Sequence, residues 1–208
     1  MICAELLTVM NKYQKEAQTV LNLGKSYKAD PHLIQVSTNK HGTTLSKKDV
    51  DNSPISCYVV ETILKKPSAD LASKIWDVNE SIVKKYDHDI TSWKEIEKGD
   101  DWKVCHQTTS APWPIWPREL AFSQVKIVEK DTIWLVAFSV DHEQVPLRDK
   151  EFVRAVIIMS IWGFTKISEN ETKVCRIVHV DPKGSIPSWA VNAAVNKHVA
   201  IVENLEER

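Results

Sequence analysis

The chain has 208 residues, of which 43% are hydrophobic and 26% are charged. Its 27 basic and 28 acidic side chains give a formal net charge of −1 at pH 7, which argues against a charge-driven nucleic-acid partner or a polybasic membrane anchor. This length and composition predict one globular domain over residues 1–208, with a core large enough to fold without disulfide bonds or a structural metal.

The four cysteines, at positions 3, 57, 105 and 175, are far apart and form no C-x-x-C pair, so we expect no zinc site. The first residues lack a basic segment followed by a long apolar run, and no stretch approaches the roughly 20 apolar residues that span a bilayer. We therefore expect a cytoplasmic protein with reduced thiols, no metal and no cofactor.

Helical spacing of apolar residues predicts a first helix over Ile2–Leu23, with Gly24 as its stop signal. Alternation around Gly42 then predicts a β-hairpin over residues 32–50. The β-branched and aromatic segment 54–64 predicts a third strand.

Two short helices are predicted next, with Ser68 and Asn79 as their N-caps. Residues 92–181 have the texture of six further antiparallel strands with tight polar turns. The last element is a helix over Ser185–Glu206, in which Ser185 is the N-cap and Pro187 lies in the first turn.

This order predicts an α+β fold with a curved antiparallel sheet of about nine strands. Such a sheet must cover its apolar face, and a long C-terminal helix wrapped by the sheet would cover it. A sheet that curls this far leaves room for a ligand between sheet and helix.

Three segments resemble the START (steroidogenic acute regulatory protein-related lipid-transfer) domain, which has a helix-grip fold. They are "PRELAF" (Pro117–Phe122), "FVRA" (Phe152–Ala155) and "DPKGSIPSWAVN" (Asp181–Asn192). The third is closest to the phosphatidylcholine-transfer branch of that family. The resemblance implies a hydrophobic tunnel that holds one phospholipid or sterol and carries it between membranes, gated by loop 109–117 and the C-terminal helix.

Loop 109–117 places Trp113, Ile115 and Trp116 among three prolines. Tryptophan favours the boundary between apolar chains and headgroups, so these side chains are candidates for transient contact with a membrane surface. The alternative is that they pack over the core as a plug.

A period of two places Arg118, Phe122 and Gln124 on one face of a strand. The resemblance implies that Gln124 occupies a slot inside the tunnel, where its amide would bind a lipid hydroxyl or carbonyl; the alternative is a position that faces water. The aspartate of the family motif is Glu119 here, which makes the local ion pairing differ from the family pattern.

Arg154 has two interpretations, a structural ion pair with Asp149 or Glu119 and a ligand contact to phosphate. Trp134 and Trp162 are candidates for an aromatic cage around a choline group. The apolar strand after Arg154 favours a sterol, whereas the C-terminal motif favours a phospholipid, and the sequence leaves this choice open. The predicted lipid-binding residues are Trp113, Trp116, Arg118, Phe122, Gln124, Trp134, Arg154, Ile158 and Trp189, the last also interpreted as packing against the sheet.

Two other functions remain open. One is a lipid-gated interaction module; the other is a cyclase or dehydratase of the same fold, for which His106 and His179 are the available strand histidines. No H-E-x-x-H, G-x-S-x-G or G-x-x-x-x-G-K-[ST] motif occurs, and the acidic clusters "YDHDI" and "VDHEQ" are typical of solvated turns. We therefore expect a non-enzymatic, monomeric protein whose partners are a lipid and, transiently, a membrane.

Overall fold

The computed structural model describes residues 12–39 and 41–207, with the backbone alone at positions 188 and 192. Its helices are α1 (Lys12–Lys28), α2 (Ser68–Trp76), α3 (Glu80–Tyr86) and α4 (Ser188–Glu203), and a 3-10 turn (Asn204–Glu206) follows α4. Its strands are β1 (Ile34–Thr38), β2 (Thr44–Lys48), β3 (Cys57–Leu64), β4 (Ile90–Lys98), β5 (Trp102–Thr109), β6 (Arg118–Glu129), β7 (Thr132–Ser139), β8 (Val153–Arg154), β9 (Val156–Ser168) and β10 (Glu171–Asp181).

Within the described residues, ten strands form one sheet in the order β1-β2-β3-β10-β9-β7-β6-β5-β4, and β8 lies parallel to the start of β6. Every other pair is antiparallel. The predicted α+β helix-grip fold is confirmed. The tenth strand arises because the segment expected as one strand is divided into β8 and β9.

Helix α1 covers one face of the sheet, here called the outer face. Ala17 and Leu21 are fully buried there in a core that includes Met159 and Ile161. The predicted stop at Gly24 is wrong, because α1 continues to Lys28. A Cβ at position 24 would collide with the end of the Ile161 side chain, so the glycine serves close packing of helix on sheet. The predicted start of this helix, residues 2–11, lies outside the described residues.

The opposite, inner face is covered by α2 and the C-terminal half of α4. Leu71 of α2 and Val202 of α4 are fully buried there against Leu135 and Phe164 of the sheet, together with Leu205 of the 3-10 turn. This half of the inner face is a packed core that anchors both helices.

One of the three predicted helix N-caps is present in the structure. Asn79 caps α3 as predicted, since its side-chain oxygen accepts a hydrogen bond from the Ile82 amide at 3.0 Å. The caps predicted at Ser68 and Ser185 are wrong: α2 begins at Ser68, and α4 begins at Ser188 with Pro187 at the N-cap and no side-chain cap bond. Residues Asp181–Pro187 instead form the corner between β10 and α4.

Candidate functional site

One row of side chains crosses the inner face of the sheet. Gln124 lies opposite Ala137, Ala137 opposite Ser160, Ser160 opposite Val178, and Val178 opposite Tyr58. Directly opposed residues of antiparallel strands project from the same face. Gln124 is 9% exposed, so most of the residue is buried within the molecule. Among the described residues no group hydrogen bonds to its side-chain amide, which leaves the amide free for a ligand.

Arg176 lies one row deeper on the inner face, beside Trp162. Its guanidinium carbon is 4.6 Å from the Trp162 ring centroid, and its nitrogens donate to the Ser160 hydroxyl at 2.9 Å and to the Ile161 carbonyl at 3.3 Å. The side chain is 8% exposed, and no carboxylate within the described residues forms an ion pair with it. Burial lowers its pKa to about 9, so it remains a cation at neutral pH.

His198 of α4 faces this part of the sheet. It is separated from Val191 by seven residues and from Val202 by four, which places all three on one side of the helix. Burial, followed by the charges of Arg176 and Lys197, lowers the pKa of His198 to about 3. The imidazole is therefore neutral at pH 7 and carries one N–H donor and one acceptor nitrogen.

The covering of the inner face by α4 changes along the helix. Val202 is fully buried, whereas Val191, Val195 and Val199 are only partly buried. A cleft of about 330 Å³ opens beside the first turn of α4. It is lined by Pro54, Ile55, Ser56, Tyr58, Asp181, Pro182, Gly184, Ile186 and Val191. Tyr58, one of the residues that line the cleft, lies in the same row as Ser160.

The loop between β5 and β6, residues 110–117, lies at the same end of the molecule and is here called the entrance loop. Arg118 follows it and donates hydrogen bonds to the carbonyls of Trp116, Pro182 and Lys183. The side chain therefore ties the entrance loop to the corner that leads into α4. Arg118, a predicted lipid contact, serves here as a link between two parts of the protein.

Exposed apolar side chains surround this end. Trp113 is 92% exposed and Trp116 is 55% exposed, so neither forms the plug considered above. Trp189, in the first turn of α4, is also 55% exposed, which corrects the expectation that it packs against the sheet. Leu147, in the loop that follows β7, is 68% exposed. Together these four residues form an apolar rim.

Two predicted contacts lie on the outer face. Trp134 packs beneath α1, where its indole N–H donates to Glu129 at 3.1 Å. Ile158 is the extra residue of a β-bulge, because Met159 pairs with His179 while Ile157 pairs with Val180. Ile157 joins the inner-face cluster that contains Phe122, and Ile158 packs with the outer core. Trp134 and Ile158 are thus removed from the inner face, while Phe122 lies on it.

Arg154 forms the ion pair with Glu119 that was one of its two predicted interactions. It donates to Glu119 at 3.0 Å and to the carbonyls of Val145 and Pro146. Glu119 is fully buried and also accepts from the Arg148 side chain at 3.2 Å, and it lies 3.2 Å from His106. Burial would raise the pKa of Glu119, but hydrogen bonds from His106, Arg148 and Arg154 lower it below its ordinary value.

The strand histidines considered for catalysis lie on the outer face. His106 contacts Glu119, and His179 lies 3.0 Å from the Ser53 hydroxyl and pairs with outer-face Met159. Within the described residues, no group of three or more His, Cys, Asp or Glu side chains is placed to hold a metal ion. In the same part of the chain, no helix is long and apolar enough to cross a bilayer.

An aromatic–cation arrangement does occur, at the far end of the sheet, but the cation belongs to the protein. The Lys103 ammonium lies 4.8 Å from the Trp76 ring centroid and 5.5 Å from that of Trp93, and it donates to the Trp76 carbonyl. Burial lowers the pKa of Lys103. The aromatic rings beside the cleft of about 520 Å³ are therefore occupied by the protein's own ammonium group and do not offer a cage for a choline group.

Comparison with known proteins agrees with this architecture. The START domain family profile matches residues 13–204. Among solved structures, human StAR-related lipid transfer protein 5 has a TM-score of 0.77 at 19% identity, and the match covers 93% of this chain and 94% of that chain. Human STARD10 has a TM-score of 0.76 at 19% identity, with 91% and 80% covered. The human StarD13 (DLC2) lipid transfer and protein localization domain has a TM-score of 0.70 at 20% identity, with 95% and 96% covered. A comparison with curated protein sequences gave no match.

Proposed function

Because the chain belongs to the START domain family, we propose that it binds one lipid between α4 and the inner face of the sheet and carries it between membranes. The observation that carries this proposal is the partly buried first half of α4, beside a cleft whose lining includes the inner-face residue Tyr58. Of the three structural neighbours, one is named a lipid transfer protein and another a lipid transfer and protein localization domain.

The entrance loop and the first turns of α4 form the gate in this proposal. A cleft of about 330 Å³ lies at the low end of ligand pockets, so a whole lipid enters only when these two segments separate. The apolar rim of Trp113, Trp116, Leu147 and Trp189 then meets the membrane surface. Indole rings suit this boundary because they bury apolar area while the N–H stays hydrated.

Gln124 and Phe122 are the predicted residues that we retain as ligand contacts on the inner face. The Gln124 amide supports recognition of a hydroxyl or carbonyl, which both phospholipids and sterols offer. Membership of the phosphatidylcholine branch rests on the C-terminal motif alone. The aromatic cage that choline would require finds no support at Trp134, which packs beneath α1.

The test is to purify the protein without detergent, extract it with organic solvent and identify the released lipid by mass spectrometry. We expect one lipid class in near-stoichiometric amount, and transfer of that lipid from donor to acceptor vesicles by the protein. A lipid that co-purifies but is not transferred would instead favour a lipid-gated interaction module. An extract without lipid, from protein that also fails to take up lipid from vesicles, would contradict the proposal. The cytoplasmic location and the monomeric state stay predictions.

A further inference from the structure

Arg176 is the strongest unexplained feature of the inner face, because a buried cation normally has an anionic partner. Moving an isolated charge into the protein interior is costly, and buried charges are therefore paired. Arg154 follows this rule, since its side chain contacts the Glu119 carboxylate and two carbonyls. Arg176 has one hydroxyl, one carbonyl and an aromatic face, and no carboxylate among the described residues.

The guanidinium also has donors to spare. It carries five N–H groups, and the bonds to Ser160 and Ile161 use two of them. Its planar fork suits the two oxygens of a carboxylate or a phosphodiester. Stacking on Trp162 fixes the plane of the fork, so little side-chain freedom is lost when a ligand binds.

The position of Arg176 connects it to the cleft. The cleft is lined by Tyr58 and Val191, and Tyr58 lies opposite Val178. Arg176 is two residues from Val178 on the same strand face, about 7 Å deeper into the molecule. His198 is seven residues from Val191, about 10 Å further along α4. A chain-like ligand that entered by the cleft and extended inward between the sheet and α4 would approach both groups.

We infer that Arg176, with Ser160 and His198 beside it, forms a binding site for the monoanionic oxygen group of a lipid, a carboxylate or a phosphodiester. The site deepens the proposed function and rests on it. One net positive charge is present, because His198 is neutral, and one negative charge on the ligand balances it. A phosphomonoester carries about −1.5 to −2 charges and would leave an excess of negative charge in the interior.

The experiment uses two ligand pairs, each made of an anionic lipid and a neutral lipid with the same hydrocarbon chains. Oleate is compared with oleyl alcohol, and dioleoyl phosphatidylglycerol with dioleoylglycerol, by displacement of a fluorescent fatty alcohol from the delipidated full chain. We expect wild type to prefer the anion of at least one pair by about tenfold or more, and the preferred pair identifies carboxylate or phosphodiester. Equal binding within both pairs would overturn the inference. No binding of any of the four would also overturn the inference, whereas the proposed function is decided separately by the lipid extracted from the purified protein.

The variant Arg176→Met keeps the volume and the apolar stem of the side chain. We expect it to lose the preference for the anion while it still binds the neutral member, which also shows that it is folded. Ser160→Ala should reduce the preference a few-fold, since it removes one of the groups that orient the guanidinium. Lys197→Met is the matched control, because this cation of α4 pairs with Asp87 and Asp89 away from the inner face. A preference that survives in Arg176→Met, or that disappears in Lys197→Met, would refute the assignment.

Discussion

The Nε atom of Arg118 donates a hydrogen bond to the carbonyl oxygen of Pro182 at 3.1 Å. Through this bond and its partners on Lys183 and Trp116, one guanidinium joins the start of β6, the entrance loop and the corner before α4. The entrance loop and the corner before α4 are therefore held together by the same side chain. Arg118 acts as a latch on the proposed gate.

Replacement of this latch should open the gate more readily. In Arg118→Gln the guanidinium is lost, and a charge-assisted hydrogen bond contributes about 1.5–3 kcal/mol. We expect release of a fluorescent lipid, followed by stopped-flow mixing with acceptor vesicles, to become several-fold faster. Lys183→Ala is the control, because it shortens a side chain of the same corner and keeps the carbonyl that Arg118 contacts. Equal release rates in wild type and Arg118→Gln would argue against a latch.

The two exposed indoles of the entrance loop should determine membrane contact. We expect the double variant Trp113→Ala, Trp116→Ala to bind anionic and zwitterionic vesicles about tenfold or more weakly, since each buried aromatic side chain contributes about 1.5–3 kcal/mol. Vesicle co-sedimentation and the transfer rate report the change. Ile63→Ala and Val128→Ala serve as controls, because these apolar side chains are 56% and 66% exposed at the far end of the sheet. A double variant that binds vesicles like wild type would remove the membrane role of the loop.

The order of elements could be predicted from the sequence because strand alternation and turn residues are local signals. The Gly42 turn, where φ is +80°, and the Asn79 cap are examples. Gly24 was a misleading signal, because a glycine within a helix can also serve close contact with a sheet. The residue that it contacts, Ile161, is distant in the sequence and could not be identified from it. The start of α4 could not be placed, because several residues of the Asp181–Pro187 corner are plausible caps.

The site was harder to predict because it depends on which face each strand residue occupies. Side chains alternate between the two faces along a strand, and Trp134 lies at a position that faces α1. The bulge in β9 reverses this alternation, so that Ile158 faces outward and Ile157 faces inward. Arg176 did leave a signal, as the one charged residue in the apolar stretch "VCRIVHV". Its lack of a carboxylate partner, and its proximity to His198 on a distant helix, are properties of the three-dimensional fold.

The carboxylate of Glu119 should be important for stability, because it balances two arginines in a water-poor region. In Glu119→Gln the partly buried Arg154 loses its charge partner, and breaking a buried pair costs about 3–5 kcal/mol. We expect a loss of about 3 kcal/mol in the free energy of unfolding measured in urea. Glu151→Gln is the control, since its largely exposed carboxylate lies 3.8 Å from Arg148. Similar stabilities of the two variants would contradict this role.

His198 should make the protein sensitive to mild acid. Its pKa is lowered to about 3 in the folded state, whereas a free imidazole has a pKa of about 6.5. Between these values the unfolded chain binds a proton that the folded chain does not, so stability is lost as the pH falls below about 6.5. From pH 7.5 to pH 5.5 this one group should cost wild type about 1.4 kcal/mol, a loss that His198→Gln escapes. Urea unfolding at both pH values measures the difference, with His41→Gln in the exposed hairpin turn as control. If wild type and His198→Gln lose equal stability on acidification, His198 is accessible to protons in the folded state and does not lie against the cationic inner face.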